Sequence, residues 1–181
     1  MKKIAIINGN PKPENKKFEK YLETLSSSLV KKGNRVNMIK LKKMKLNFCI
    51  GCYSCWLKTP GVCIHKDDGP KILTEYINSD VVILSSPLIM GFTSALIKTL
   101  QERLIALSHP FVYIKDDRMQ HVLRYEKYPS TVLLLEKTGI HDETDIEITE
   151  NIYKSAKTRK FALSLTTDRN CEEVADEINN I

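Results

Sequence analysis

The stretch DVVILSSPLIMGFTSALIK spans residues 80–98. It opens on the apolar run Val81-Val82-Ile83-Leu84, crosses Ser85, Ser86 and Pro87, and turns at Gly91. From Ser94 onward the period changes: Leu96, Leu100, Leu104 and Leu107 fall on one helical face. Residues 80–86 therefore read as a strand buried on both faces, and the segment from about Ser94 as a helix. A buried strand that feeds directly into a helix is half of a parallel-sheet unit.

The same unit recurs on either side. Residues 3–8 (KIAIIN) read as a strand, followed by a helix over 15–32 with Phe18, Leu22, Leu25 and Leu29 in register and Gly33-Asn34 as its stop. Residues 35–41 alternate as a second strand. A helix over about 68–78 precedes the opening stretch, and a strand at 131–136, a helix at 142–157, a strand at 160–166 and a helix at 171–180 follow it. This alternation predicts an α/β three-layer sandwich whose five-stranded parallel sheet runs in the order 2-1-3-4-5. The 181 residues are expected to form one domain, with a cysteine loop at 42–64 and an insertion at 109–128. Asp116-Asp117 reads as the turn of a hairpin in that insertion, whose aromatic residues and arginines would cover a ligand or dock on a second subunit.

Ligands of such sheets lie beyond the carboxyl ends of the strands, at the switch between strands 1 and 3. Position alone thus selects the loops at 8–16, 86–93 and 136–141. In the first, Gly9 permits close backbone approach, the helix starting near Asn15 offers free N–H groups, and Lys12 and Lys16 add positive charge. Neither GxxxxGK[ST] nor GxGxxG is present. In the second, Leu88, Ile89, Met90 and Phe92 form an apolar wall that a flat ligand or another subunit would cover. In the third, Thr138 can donate a hydrogen bond, Gly139 permits close approach, and His141 reads as an exposed polar residue.

Composition narrows the classes. The formal charge of +6 comes from scattered lysines, and the densest group (Lys40, Lys42, Lys43, Lys45) reads as a solvated face and not as a nucleic-acid patch. Apolar runs reach four to five residues, far short of the about 20 that span a bilayer, so a cytoplasmic protein without membrane or nucleic-acid partners is expected. Two layouts with similar alternation are excluded. No cysteine has an arginine six positions later, as a low-molecular-weight phosphatase requires, and Asn8 and Ser85 stand where a receiver domain needs carboxylates.

Four of the five cysteines lie in CIGCYSCWLKTPGVC, residues 49–63. Cys49, Cys52 and Cys55 have the spacing that lets consecutive thiolates converge on an iron–sulfur cluster, and Cys63 follows after seven residues. Zinc accepts four thiolates equally well, and reduced cysteines also pack as small apolar residues. A disulfide is a further alternative, disfavoured in a reducing compartment. Cys171 falls in the last helix, and Trp56 reads as packing or as a shield for a cofactor edge.

Together these motifs resemble the NADPH-dependent FMN reductase and iron–sulfur flavoprotein family, which has a flavodoxin-like fold. GNPKPENK (9–16) stands at the family's phosphate loop. Asp67-Asp68, Ser79-Asp80, Ser86-Pro87 with Gly91, Ser94-Ala95, Lys98 and Glu102-Arg103 match its second signature, and the likeness covers residues 3–108. The resemblance implies a bound FMN, with the phosphate held around Asn8, Gly9, Asn10, Lys12, Asn15 and Lys16. The ring would lie over Pro87, Leu88, Ile89, Met90 and Gly91, with Thr138 and Gly139 near its edge. It implies NAD(P)H as electron donor, a small-molecule acceptor, a homodimer or higher homo-oligomer, and a [4Fe–4S] cluster on Cys49, Cys52, Cys55 and Cys63. Hydride transfer to a flavin needs no protein acid or base, so no catalytic side chain is assigned. Where the family carries hydroxyls at the phosphate, Asn10 and Lys16 stand here, Ile89 replaces a ring-contacting aromatic, and Glu14 adds a carboxylate. The other reading is a cysteine-based metal-binding or redox-sensing module on the same fold, without flavin turnover.

Overall fold

The computed structural model describes residues 1–115, 117–137, 143–155 and 160–181. In chain order the elements are β1 (Lys3–Asn8), α1 (Lys16–Lys31), β2 (Arg35–Lys40), α2 (Ser54–Leu57), α3 (Gly69–Ile77), β3 (Val81–Ile89), β4 (Phe92–Thr93), α4 (Ala95–Arg103), β5 (Ser108–Lys115), β6 (Arg118–Leu123), β7 (Ser130–Glu136), α5 (Glu143–Ser155), β8 (Lys160–Thr166) and α6 (Cys171–Asn179). Five strands pair in parallel in the order β2-β1-β3-β7-β8, which is 2-1-3-4-5 when only these strands are counted.

Strand residues sort by parity, as a period of two requires. Ala5, Ile7, Val82, Leu84, Leu133 and Leu135 enter one core, with Ile72 of α3, Ile97 of α4 and Tyr153 of α5. Ile4, Ile6, Val81, Ile83, Val132 and Leu134 enter the other, with Leu22 of α1 and Ile178 of α6. Because both faces of the sheet are covered, its strands read as unbroken apolar runs. Each fully buried Leu or Ile side chain contributes about 1.5–3 kcal/mol.

Helix α1 begins where its cap is satisfied: Asn15 Oδ1 accepts from Phe18 N at 3.2 Å. It ends at Lys32, followed by Gly33 at φ 83°.

The loop expected at 86–93 is mostly a hairpin. β3 continues through Pro87 to Ile89 and pairs antiparallel with β4, Ile89 opposite Phe92. Met90 (φ 51°) and Gly91 (φ 74°) form the turn, with the positive φ values of a two-residue hairpin. Leu88 is 1% exposed and belongs to the core, so it cannot face a ligand as expected, and Pro87 is buried too. The cause is cover on both faces: β3 is buried from Val81 through Leu88, and only its last residue, Ile89, emerges.

The insertion forms the β5–β6 hairpin, with Lys115 opposite Arg118. Phe111, Ile114 and Met119 stand exposed on it. The Trp56 indole N–H donates to Ser108 O (2.9 Å) and Ile105 O (3.1 Å), pinning the cysteine loop to the hairpin base.

Candidate functional site

Hydrogen bonds join the first expected loop to β3, to the start of α4 and to the end of β7. Gly9 N donates to Ser85 O at 2.8 Å, and the Ser94 hydroxyl donates to Gly9 O at 2.6 Å. Ser94 N in turn donates to Ser86 Oγ at 2.8 Å. Asn15 Nδ2 donates to Glu136 Oε2 at 2.5 Å, joining the start of α1 to the end of β7. Thr138 and Gly139, expected at the ring edge, lie outside the described residues, as does His141.

Within the first loop the asparagines serve the protein itself. Asn8 Oδ1 accepts from Asn10 N (2.9 Å), and Asn10 Oδ1 accepts from Lys12 N (3.0 Å). Both amide groups donate to Glu19 Oε1 at 2.9 Å, while Lys40 Nζ bonds Glu19 Oε2 at 2.8 Å. Burial opposes ionisation of Glu19, yet these partners hold its carboxyl below its ordinary value. Lys40 is thus paired, and with Lys42, Lys43, Asn8, Asn10 and Pro13 it lines a cleft of about 460 Å³ beside the loop. The lysine group read as a solvated face is in part the wall of this cleft.

Few backbone donors of this rim are open to an FMN phosphate. Pro11 and Pro13 have no N–H. The N–H groups of Asn10, Lys12, Asn15 and Lys16 turn inward to loop acceptors, and those of Phe18 and Glu19 bond Asn15. The Lys17 N–H and the exposed Lys12, Lys16 and Lys17 ammonium groups remain for an anion at the positive end of α1. On the same rim Ile89 is 37% and Met90 95% exposed, a bare apolar tip at the turn. Cationic groups and an apolar tip at the carboxyl ends of β1 and β3 suit a planar ring with an anionic tail. Of the five expected ring contacts, only Ile89, Met90 and Gly91 stand at the surface.

The second site is the cysteine loop. Cys49, Cys52, Cys55 and Cys63 are free thiols that line one small cavity of about 30 Å³, together with Ile50, Tyr53, His65, Arg103, Ile105 and Ala106. Burial, and then the neighbouring Cys63 and Cys49, push the Cys55 thiol above its ordinary value. Among the described residues, no group of three or more His, Cys, Asp or Glu side chains converges as a single-ion site. Two polar atoms at the cavity nonetheless lack partners: Arg103 Nε and His65 Nε2 are buried and unbonded. Buried polar groups are rarely left so unless an ion, water or ligand satisfies them. Four thiols with two orphaned nitrogens fit a thiolate-ligated cluster. The cavity is smaller than such a body, and its Ile50-Gly51-Cys52-Tyr53 wall is exposed.

An internal ion pair sets this loop. Arg103, 1% exposed, donates Nη1 to Asp67 Oδ2 (2.8 Å) and Nη2 to Asp67 Oδ1 (3.0 Å). Arg103 Nη1 also bonds Asn47 O at 2.8 Å, and Asp67 accepts from Asn47 N and Gly69 N, each at 2.9 Å. Gly69 is required by this packing, since a Cβ there would lie 2.3 Å from Arg103 Nη2. One carboxylate thereby ties the start of the cysteine loop, the start of α3 and the end of α4. The sequence shows Asp67 and Arg103 only as letters of a signature, 36 residues apart.

The Arg103 guanidinium holds the Asp67 carboxyl well below its ordinary value of 3.8. A depressed native value makes the pair's stabilisation complete above 3.8 and lost as pH falls from there through the lowered native value. The stability gap between wild type and Asp67→Asn is therefore expected to be flat from about pH 7 to pH 5 and to narrow below about pH 4. Urea melts across that range measure it, and a gap that stays constant to about pH 3 would contradict the assignment.

The model of the NADPH-dependent FMN reductase family matches residues 2–121. The chain belongs to this family. Among curated proteins it is 32% identical over 105 residues to an iron-sulfur flavoprotein of Methanocaldococcus jannaschii, covering 58% of this chain and 52% of that one. It is 33% identical over 101 residues to an iron-sulfur flavoprotein of Archaeoglobus fulgidus, covering 56% and 48%. The chain thus spans about half the length of the curated relatives it matches. Among solved structures, an FMN-dependent NADH-azoreductase of Bacillus anthracis in complex with FMN superposes with a TM-score of 0.64 at 14% identity, over 99% of this chain and 95% of that one. An NAD(P)H:quinone oxidoreductase of Methanothermobacter marburgensis gives 0.62 at 14% identity, over 98% and 94%. At such identities these structures speak for the flavodoxin-like fold alone. The family match covers β1 to β6 and so includes both the first loop and the cysteine loop. Among the described residues, no helix is long and apolar enough to cross a membrane.

Proposed function

We propose that this FMN reductase family member binds FMN on the rim formed by the β1–α1 loop, the β3–β4 turn and the segment after β7, and passes hydride or electrons from NAD(P)H to a small acceptor. The observation that carries this reading is the joining of the β1–α1 loop to β3, to the start of α4 and to the end of β7 through Gly9–Ser85, Ser94–Gly9 and Asn15–Glu136, with ammonium groups that have no partner among the described residues and an apolar tip at the same ends of the strands. FMN, when bound, supplies the hydride and single-electron chemistry. The chain's part is to hold and orient it. Lys12, Lys16 and Lys17 and the Lys17 N–H hold the phosphate, Asn10 and Asn15 keep the loop in shape, and Ile89, Met90 and Gly91 back the ring, with Thr138 and Gly139 at its edge. Cys49, Cys52, Cys55 and Cys63 hold a [4Fe–4S] cluster, a reading supported by their shared cavity, its orphaned nitrogens and the names of the curated relatives. A cytoplasmic homodimer, its contact including the exposed β5–β6 hairpin, completes the proposal.

A second reading has one observation in its favour. The phosphate loop has two prolines and has turned most other amides inward. A chain that had given up flavin would keep the thiols as a metal-binding or redox-sensing module. Titration of the purified protein with FMN, followed by quenching of flavin fluorescence, separates the two. Wild type is expected to bind, and a Lys12→Glu/Lys16→Glu variant to bind at least tenfold more weakly, about 1.4 kcal/mol. Absence of binding by wild type, or equal affinity of the two proteins, would reject the flavin reading. Iron and sulfide analysis of protein prepared without air tests the cluster separately.

A further inference from the structure

We propose that Arg103 is a positioning and charge-balancing residue of the cysteine pocket, its Nε–H donating a hydrogen bond to a sulfur of the thiolate-held cluster. This rests on the reading of Cys49, Cys52, Cys55 and Cys63 as cluster ligands.

Arg103 is 1% exposed and lines the cysteine cavity. Nη1 bonds Asp67 and the Asn47 carbonyl, and Nη2 bonds the other oxygen of Asp67. The remaining donor, Nε–H, has no partner although it is buried. A planar guanidinium with two corners fixed by a carboxylate cannot swing its third donor to another acceptor. An orphan N–H held this way is a costly arrangement unless something at the cavity accepts from it. Besides Asp67, the electron-rich side chains on the same cavity are the thiols of Cys49, Cys52, Cys55 and Cys63. Gly69 leaves the space that the guanidinium fills, and Asp67 fixes its plane. The arrangement is built from residues of three different segments, and the Asp67–Arg103 ion pair alone does not require Nε to be left open.

The consequence is electrochemical. Reducing the cluster by one electron, with dithionite as donor, adds one negative charge to the sulfur-ligated core. A cation and a hydrogen-bond donor fixed beside it favour the reduced state and raise the reduction potential. Arg103→Met removes both, and Arg103→Lys keeps the charge but not the Nε–H. Mediated redox titration of the reconstituted protein, followed by electron paramagnetic resonance, reads the potential. The expected result is a fall for both variants, at least tenfold in the reduction equilibrium for Arg103→Met, about 59 mV for one electron, with a smaller fall for Arg103→Lys. Should neither variant fold, wild type carrying a spin-half nitrogen isotope in arginine answers the question. Pulsed resonance of its reduced cluster is expected to show coupling to an arginine nitrogen, and an absent coupling overturns the proposal. Variants that hold the full iron and sulfide complement at the wild-type potential also overturn it, leaving Arg103 a purely structural partner of Asp67. Wild type that takes up no iron or sulfide overturns the cluster reading, and this inference with it.

Discussion

Asp67→Ala is expected to be the most damaging single substitution away from the sheet, costing about 3–5 kcal/mol. The carboxylate is fully buried and is the partner of a guanidinium that is also fully buried. Removing it leaves Arg103 charged, desolvated and unpaired, and also strips the acceptor from Asn47 N and Gly69 N. The loss spreads because those groups belong to the entry of the cysteine loop and the first turn of α3. A lowered urea midpoint with an unchanged slope would report it, together with faster reaction of Cys55, now buried, with a thiol reagent. The double variant Asp67→Leu/Arg103→Met is expected to recover much of the loss, since replacing a buried pair by apolar side chains is often neutral. A single-variant cost below about 1 kcal/mol would mean that the pair contributes no more than a surface salt bridge.

Gly9→Ala is expected to cost about 1–3 kcal/mol and to displace the β1–α1 loop. A Cβ at residue 9 would lie 2.3 Å from Ile97 Cγ1, 2.7 Å from Ile97 Cδ1 and 3.0 Å from Ser85 O. Ile97 is wholly buried and Ser85 O is backbone within β3, so neither can yield cheaply. The loop must move instead, which stretches the Gly9–Ser85 and Ser94–Gly9 bonds that hold it on the rim. Ile97→Val on the Gly9→Ala background tests the cause, because it makes room on the side-chain side only. Partial recovery of stability is the expected outcome. No recovery would assign the strain to the Ser85 carbonyl, and an undiminished FMN affinity in Gly9→Ala would separate loop position from binding.

Much of this protein could be read before any coordinates. The runs Ile4–Ile7, Val81–Leu84 and Val132–Leu135 identify buried parallel strands because both faces of each are covered, and periodic Leu and Phe residues mark the helices between them. The four cysteines mark their shared cavity because one short loop supplies all of them. The apolar wall at 87–92 was legible only in part. Its composition is visible, but whether Leu88 or Ile89 faces outward depends on strand parity and on where β3 ends.

Sequence by itself determined the layer order, the loops after the first and third strands and the grouping of four cysteines along one loop, since each follows from local periodicity or short spacing. Only the tertiary structure decided that Asp67 and Arg103 form one buried pair, that Glu19 gathers Asn8, Asn10 and Lys40, and that Asn15 reaches Glu136 across 121 residues. These are contacts between side chains distant along the chain. No local pattern encodes them, because the energy that selects them, the satisfaction of charges and amides removed from water, exists only once the layers have closed.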